Sequence, residues 1–404
     1  MAAMTADAPQ PPAPAPPFRR RVFYIPGYDP MPPRRYRELY RSEGTDQARI
    51  SGYTLTLQPK TADGPYGWRA IGEVAEAEVE VLVWSDIVRS SMDQGIVATY
   101  LQLLRTAATY ITTGALRRLM YLRKGPMIAA LYPIGMLLLQ LTLALMLGFV
   151  AYGPGAALHP LLGLTLWAAV TYLPLRYFRS RDNRFYAYYL MHDYAFTAQF
   201  HGANPPALEA RMADFRAIIA AALTPDVDEV LVVGHSSGAH LAISILADLI
   251  RQGLPANHPP LAFLSLGQVV PMVSFLPRAN RLRADLRYLS ACPDLTWVDV
   301  TAPGDGCAFA LCDPVAVSGV APPDKIWPLV LSAAFTQTLS PERWAYLRWR
   351  FFRLHFQYLC AFDRPRDYDY FQITAGPLTL RDRYEGRAPS KSRILSPRSG
   401  YTST

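Results

Sequence analysis

Apolar and polar positions change period several times along this chain, and each change predicts an element. RVFYIPGYDP (21–30) is a short β run broken at Pro26-Gly27. ISGYTLTLQP (50–59) and GWRAIGEV (67–74) predict two strands with a turn between them, and AEVEVLVWSDIV (77–88) alternates and then runs apolar as a fourth. From Ser91 to Lys124 the period becomes helical, with Ile96, Tyr100, Leu103, Ala107, Tyr110 and Ile111 at three- and four-residue intervals. This helix has two readings: an amphipathic helix packed on the core, or a basic-ended helix lying on an anionic membrane surface.

No Asp, Glu, Lys or Arg occurs between Gly125 and Leu175. Residues 126–150 are long enough to cross a hydrocarbon core at about 1.5 Å per residue. AYGPGAALHP (151–160) reads as a turn, and a second span covers about 155–175. The competing reading is a buried core hairpin or a re-entrant loop. Arg117, Arg118, Arg123 and Lys124 precede the apolar pair, Arg176, Arg179, Arg181 and Arg184 follow it, and the turn carries no charge. The positive-inside rule then places both ends, and with them both termini, on the cytoplasmic side.

Beyond residue 190 helix and strand alternate. Residues 207–222 predict a helix, 228–233 a strand, 239–253 a helix, 261–270 a strand, 279–291 a helix, 295–300 a strand and 370–378 one more strand. Such alternation implies a largely parallel sheet with crossover helices, hence an α/β fold. The expected organisation is a Pro/Ala-rich disordered tail (1–20), a first part of the α/β domain (21–90), a helical insertion with the hairpin (91–190), a second part of the domain (191–385) and a disordered tail (386–404).

Composition narrows the function classes. Hydrophobic residues make up 51% and charged residues 18%, apolar for a soluble protein, and the formal net charge is +8. No zinc-finger spacing, RNP signature or basic-region heptad accompanies that charge, and much of it brackets the apolar stretch, so lipid is the expected partner rather than nucleic acid. Cys292, Cys307, Cys312 and Cys360 form no C-x-x-C pair, which argues against a disulfide framework and a structural zinc site. No P-loop, dinucleotide fingerprint or H-E-x-x-H is present, so neither a cofactor nor a metal is expected.

The candidate chemistry lies in DEVLVVGHSSGAHLA. The run Glu229 to Val233 ends at Gly234, and a helical pattern begins after Gly238. Gly234-His235-Ser236-Ser237-Gly238 therefore sits at a strand–turn–helix junction, where a tight turn would lift the Ser236 hydroxyl to a helix N-terminus. The alternative is a structural turn whose serine has no task.

These residues, and the order of elements after them, resemble the α/β-hydrolase superfamily, specifically its serine esterases and lipases. The resemblance covers 228 to about 378 well, 21–90 loosely and 91–190 not at all. It implies Ser236 as nucleophile, followed in the chain by an acid and then a base. Of the seven histidines only His355 follows an acid placed after a later strand; the alternative for His355 is a core histidine among Phe351, Phe352, Phe356 and Tyr358. His235 fits the family's common filling of the elbow. Asp299, Asp305 and Asp313 are candidate acids. Asp305, in the Pro303-Gly304-Asp305-Gly306 turn, is preferred, and Asp299 is the alternative. The resemblance also implies an oxyanion hole from the Ser237 N–H and a donor at Gly27 or Tyr28. Two features depart from the family: the Pro26-Gly27 loop follows the first recognisable strand, and the 90–190 insertion precedes the usual lid position.

The expected activity is a membrane-anchored serine hydrolase that cleaves lipophilic carboxylic esters through an acyl-enzyme. Acyl transfer and thioester cleavage are alternatives on the same chemistry. A hydrolase-like binding module without catalysis is the alternative from another class.

Overall fold

A computed structural model describes residues 16–61 and 63–404. The tail expected over 1–20 lies outside the described residues as far as position 15; its last residues belong to a strand. Eight strands form one sheet: β1 (Phe18–Ile25), β2 (Thr56–Pro59), β3 (Gly67–Ile71), β4 (Ala75–Val81), β5 (Glu229–His235), β6 (Leu261–Leu266), β7 (Leu295–Thr301) and β8 (Leu329–Ser332), in the spatial order β2-β3-β4-β1-β5-β6-β7-β8. β2–β3 and β3–β4 pair antiparallel, and every other neighbouring pair is parallel. The chain is thus α/β with a mostly parallel sheet, as the alternation after residue 190 predicts.

β5, β6 and β7 are buried along their whole length, the signature of parallel strands covered on both faces. Period-two geometry sends alternate side chains to opposite sides. Phe23, Val230, Val232, Phe263 and Trp297 pack one face against Leu241, Ile245 and Leu286 of the crossover helices. Val22, Leu231, Val233, Leu264 and Val298 pack the other against Tyr358 and Phe371. β1 starts earlier than its apolar residues suggest because Arg20 is buried in an ion pair, Nε to Glu229 Oε2 at 2.5 Å, and also donates to the Gly376 carbonyl at 2.7 Å.

Several elements differ from expectation. The Ser91–Lys124 helix is broken into Ile96–Thr112 and Ala115–Leu119, with Gly114 at φ 72° between them. In the Ile96–Thr112 helix Thr99, Leu103, Thr106 and Tyr110 face inward, while Val97, Leu101, Leu104 and Ile111 are exposed. The segment 370–378 is a helix, Tyr370–Ala375, and not a strand. Asp369 Oδ1 caps it, accepting from Phe371 N at 2.9 Å and Gln372 N at 3.0 Å, and the cap outweighs the β propensity of its aromatic and branched residues. The C-terminal segment 386–404 is docked rather than loose. Ile394 N donates to Leu311 O at 2.7 Å, Arg398 N to Val317 O at 2.9 Å, and the buried Arg283 donates to Ser403 O at 2.8 Å.

Two helices, Lys124–Leu158 and Pro160–Ser180, are long and apolar enough to cross a membrane by length and composition, and little of either is buried. The expected turn over 151–160 is helical as far as Leu158, and the reversal occurs at His159 alone, whose Nδ1 accepts from Leu161 N at 3.2 Å. The helices pack antiparallel on small residues. A Cβ on Gly155 would stand 2.8 Å from Gly163 Cα, and one on Gly148 2.9 Å from Trp167 O. In that register the first turns of the longer helix run past the end of the shorter one. They pack on the Ala187–Ala198 helix through Leu137, Tyr188 and Met191.

Candidate active site

β5 ends at His235 and the next helix begins at Ser237, which leaves Ser236 alone in the turn with φ 56° and ψ −122°. For a residue with a Cβ such a conformation costs on the order of 1–3 kcal/mol and persists only where its surroundings impose it. Here the Ser236 N–H is fixed to Leu266 O at 2.9 Å, and three glycines clear the space. A Cβ on Gly234 would lie 2.7 Å from Ala239 Cα, one on Gly238 2.7 Å from Pro26 O, and one on Gly27 2.9 Å from Ser236 Cβ. The glycines on either side of the serine are therefore steric requirements. The Pro26-Gly27 loop, leaving the central strand β1, lies directly against Ser236, with the Gly27 Cβ position 3.3 Å from Oγ. The N–H groups of Gly27, Tyr28 and Ser237, the candidate oxyanion donors, donate to no acceptor among the described residues. The Tyr28 ring is held by Trp84, Tyr189 and Phe196, and its hydroxyl shares a 2.5 Å hydrogen bond with Ser91.

Asp305 follows β7, in the turn after Thr301, and is fully enclosed. Its Oδ2 lies 2.7 Å from His355 Nδ1 and accepts from the Tyr358 hydroxyl at 3.0 Å; its Oδ1 accepts from Cys307 N at 2.8 Å. Burial alone would raise this carboxyl. The His355 imidazole and the three hydrogen bonds outweigh burial and hold it below the ordinary carboxylate value. With Nδ1 occupied, the second ring nitrogen of His355 is buried without a partner among the described residues. His355 Cε1 is 3.0 Å from the Cβ position of Gly267, the residue next to the carbonyl that receives the Ser236 N–H.

No protein-family model matches this chain, and neither does a curated protein or a solved structure.

The remaining candidates separate cleanly. Asp299, the alternative acid, lies within β7 and points away from His355, accepting from Ser265 Oγ at 2.6 Å. Burial pushes its carboxyl up to about 8, so it is a neutral acid at pH 7. Asp313 caps the short Pro314–Val317 helix and pairs with Lys325 at 2.8 Å. His235 stacks near His355 with ring centroids 4.8 Å apart, and its Nε2 is 3.0 Å from the His355 carbonyl. Burial first, and His355 second, pull His235 down to about 3, so it is neutral and donates that proton to the carbonyl.

Two residues at the site carry no motif signal. Tyr358 fixes Asp305, as above, while its hydroxyl also accepts the Ala302 N–H at 3.0 Å. Asp193 is on the Ala187–Ala198 helix, on the same face as Tyr189, whose ring packs on Tyr28 and Phe352. Burial pushes its carboxyl up to about 7 against the opposing pull of His355. Helical spacing from an aromatic contact was the available clue to Asp193.

Asp305, Cys307 and His355 also bring three potential metal-ligand atoms within 4.8 Å of one another. Burial, Asp305 and Asp193 hold the Cys307 thiol well above its usual value, so it is not a ready thiolate ligand. The hydrogen bonds to Asp305 already occupy both of its oxygens, which fits an acid–base pair better than a metal site.

Proposed function

We propose that this protein is a membrane-tethered serine hydrolase of the α/β-hydrolase type that cleaves lipophilic carboxylic esters. The observation that carries the reading is the pairing of the enclosed Asp305 with His355 Nδ1 at 2.7 Å beside a serine held at positive φ. In this reading Asp305 holds the imidazole as the Nδ1–H tautomer. The free His355 Nε2 takes the Ser236 proton as Oγ attacks the ester carbonyl, and returns it to the departing alcohol. The Ser237 N–H and that of Gly27 or Tyr28 receive the oxyanion. Water then repeats the sequence on the acyl-enzyme. The strand order supports the family reading, because the Gly27 loop leaves a central strand next to β5 although it comes first in the chain.

The hairpin supplies the tether. The Pro160–Ser180 helix has 21 residues, about 31 Å, which matches a hydrocarbon core. The flanking arginines favour a cytoplasmic catalytic domain. The apolar outer row of the Ile96–Thr112 helix, beside the hairpin, suits contact with lipid.

The test is labelling of full-length protein in isolated membranes with a fluorophosphonate probe. Wild type is expected to label, Ser236→Ala to lose the label, and His355→Ala to label weakly. Folded wild type that does not label refutes the proposal. Retention of the protein in membranes at alkaline pH tests the tether separately.

A further inference from the structure

The segment between the Pro341–Leu347 and Phe351–His355 helices has a surface that the proposed chemistry does not use. Tyr346, Trp349 and Phe351 are exposed, Trp349 by 73%. Interleaved with them are Arg348, Arg350 and Arg353, also exposed, none of which pairs with a carboxylate among the described residues. The arginines are instead organised by the aromatics. Arg350 lies 3.7 Å over the Tyr346 ring, Arg348 lies 5.7 Å over Trp349, and Arg353 donates to the Tyr346 hydroxyl at 2.6 Å. A purely solvated surface would have no need of an indole exposed to this extent. Indole and phenol rings beside unpaired guanidinium groups are the chemistry of a membrane headgroup layer.

The segment is also tied to both ends of the hairpin. Phe351 Cδ1 is 3.0 Å from the Cβ position of Gly306, and Gly306 Cα is 3.0 Å from that of Gly125 in the first turn of the Lys124–Leu158 helix. Phe352 stacks 4.5 Å from Tyr186 and 5.6 Å from Tyr189, just beyond the end of the second helix. Three residues beyond Phe352 is His355. The aromatic and basic surface, the acid turn and the two hairpin ends are thus one packed unit.

We infer that Tyr346, Trp349, Phe351 and the three arginines form a lip that docks on anionic lipid headgroups of the bilayer the hairpin crosses, holding the mouth of the site at the membrane surface. The inference rests on the proposed membrane tether. Its consequence is selectivity: a lipophilic ester reaches Ser236 from the headgroup layer, whereas a short soluble ester arrives from water and is indifferent to the lip.

The experiment uses full-length protein reconstituted in phosphatidylcholine vesicles with or without phosphatidylserine. Trp349→Phe isolates the emission of that indole, and shallow brominated lipids quench it if it is docked. The expected result is quenching of the Trp349 component, stronger with phosphatidylserine. A variant with Arg348→Gln and Arg350→Gln should lose kcat/KM for a long-chain ester by roughly tenfold in phosphatidylserine vesicles, given the electrostatic attraction of each basic residue to an anionic surface. Its kcat/KM for a short soluble ester should stay unchanged. Absence of quenching, or a long-chain to short-chain ratio insensitive to lipid charge and to the arginines, overturns the lip. Quenching needs no catalysis, so an inactive but docked protein would refute the hydrolase and support the lip. Extraction of the protein at alkaline pH would remove the tether and the lip together.

Discussion

Asp299 and Asp305 stand six positions apart, yet the structure gives them opposite electrostatic states, and exchanging each for Asn separates the proposed catalytic role from burial. Asp305 is a carboxylate whose Oδ2 takes the His355 Nδ1–H at 2.7 Å. In Asp305→Asn an amide oxygen can keep one contact but bears no charge, and an amide NH2 turned toward Nδ1 would favour the other tautomer, leaving Nε2 protonated and unable to act as base. In the serine-protease triad the same exchange costs about 10⁴-fold in kcat. At about 1.36 kcal/mol per decade this is on the order of 5 kcal/mol of barrier. A loss of about 10³–10⁴-fold in kcat/KM for a chromogenic ester is therefore expected. Asp299 is already uncharged at pH 7, with its carboxyl raised from 3.8 to about 8 by burial. Asn is close to the state it occupies, and Asp299→Asn should keep activity within about threefold, since it removes no charge and preserves the acceptor for Ser265.

The same pair differs in stability, and the sign follows from linkage. A carboxyl raised in the folded state holds its proton while the unfolded chain releases it. Its contribution is complete below about pH 4 and is lost as pH rises toward 8, by on the order of a few kcal/mol in all. Asp299→Asn removes that loss and should melt higher than wild type at pH 8, with little difference at pH 4. Asp305 is held low, so its contribution is present at neutral pH and fades as the solution is acidified below the ordinary carboxylate range. The assays are ester turnover and melting of the reconstituted protein at both pH values. Activity retained in Asp305→Asn but abolished in a folded Asp299→Asn would refute the assignment.

Three further outcomes follow from the packing. Asp193→Asn removes a carboxyl that burial raises to about 7, whose stabilising contribution is complete below the ordinary carboxylate range and is lost as pH rises through 7, so the variant should melt higher than wild type at about pH 8 with little difference at about pH 4. Tyr358→Phe keeps the ring stacked on Phe335 but leaves the Ala302 N–H without its acceptor; a stability loss of about 1–3 kcal/mol and a smaller activity loss than in Asp305→Asn are expected by melting and turnover. Gly238→Val places a Cβ 2.7 Å from Pro26 O and must displace the Gly27 loop, so it should yield little folded protein, whereas Ser236→Ala should express and melt at or above the wild type.

Local signals carried the strand–turn–helix geometry around Ser236 further than they carried the arrangement of the sheet. The elbow was legible because its requirements are steric and contiguous: a buried strand, two glycines with no room for a Cβ, and a helix start, all within Glu229–Leu241. The same holds for β5, β6 and β7, whose apolar runs need no partner to be recognised. β8 is four residues long beside Pro328, too short for any period to show. The Tyr370–Ala375 helix was hidden because a single capping carboxylate at Asp369 decides it against six residues of β-like composition. The docked C-terminus was hidden for a different reason. Its hold on the domain is made by backbone groups at Ile394 and Arg398 and by Arg283 reaching Ser403, contacts with partners about 80 to 120 positions away that composition does not register. Asp193 shows the limit most plainly. Nothing in YLMHDYAF marks a perturbed acid, and only the packing of Tyr189 on Tyr28 and Phe352 brings that helix face against the Tyr28 loop. Long-range packing, not residue type, is what raises this carboxyl, and its pH signature is where that distinction becomes measurable.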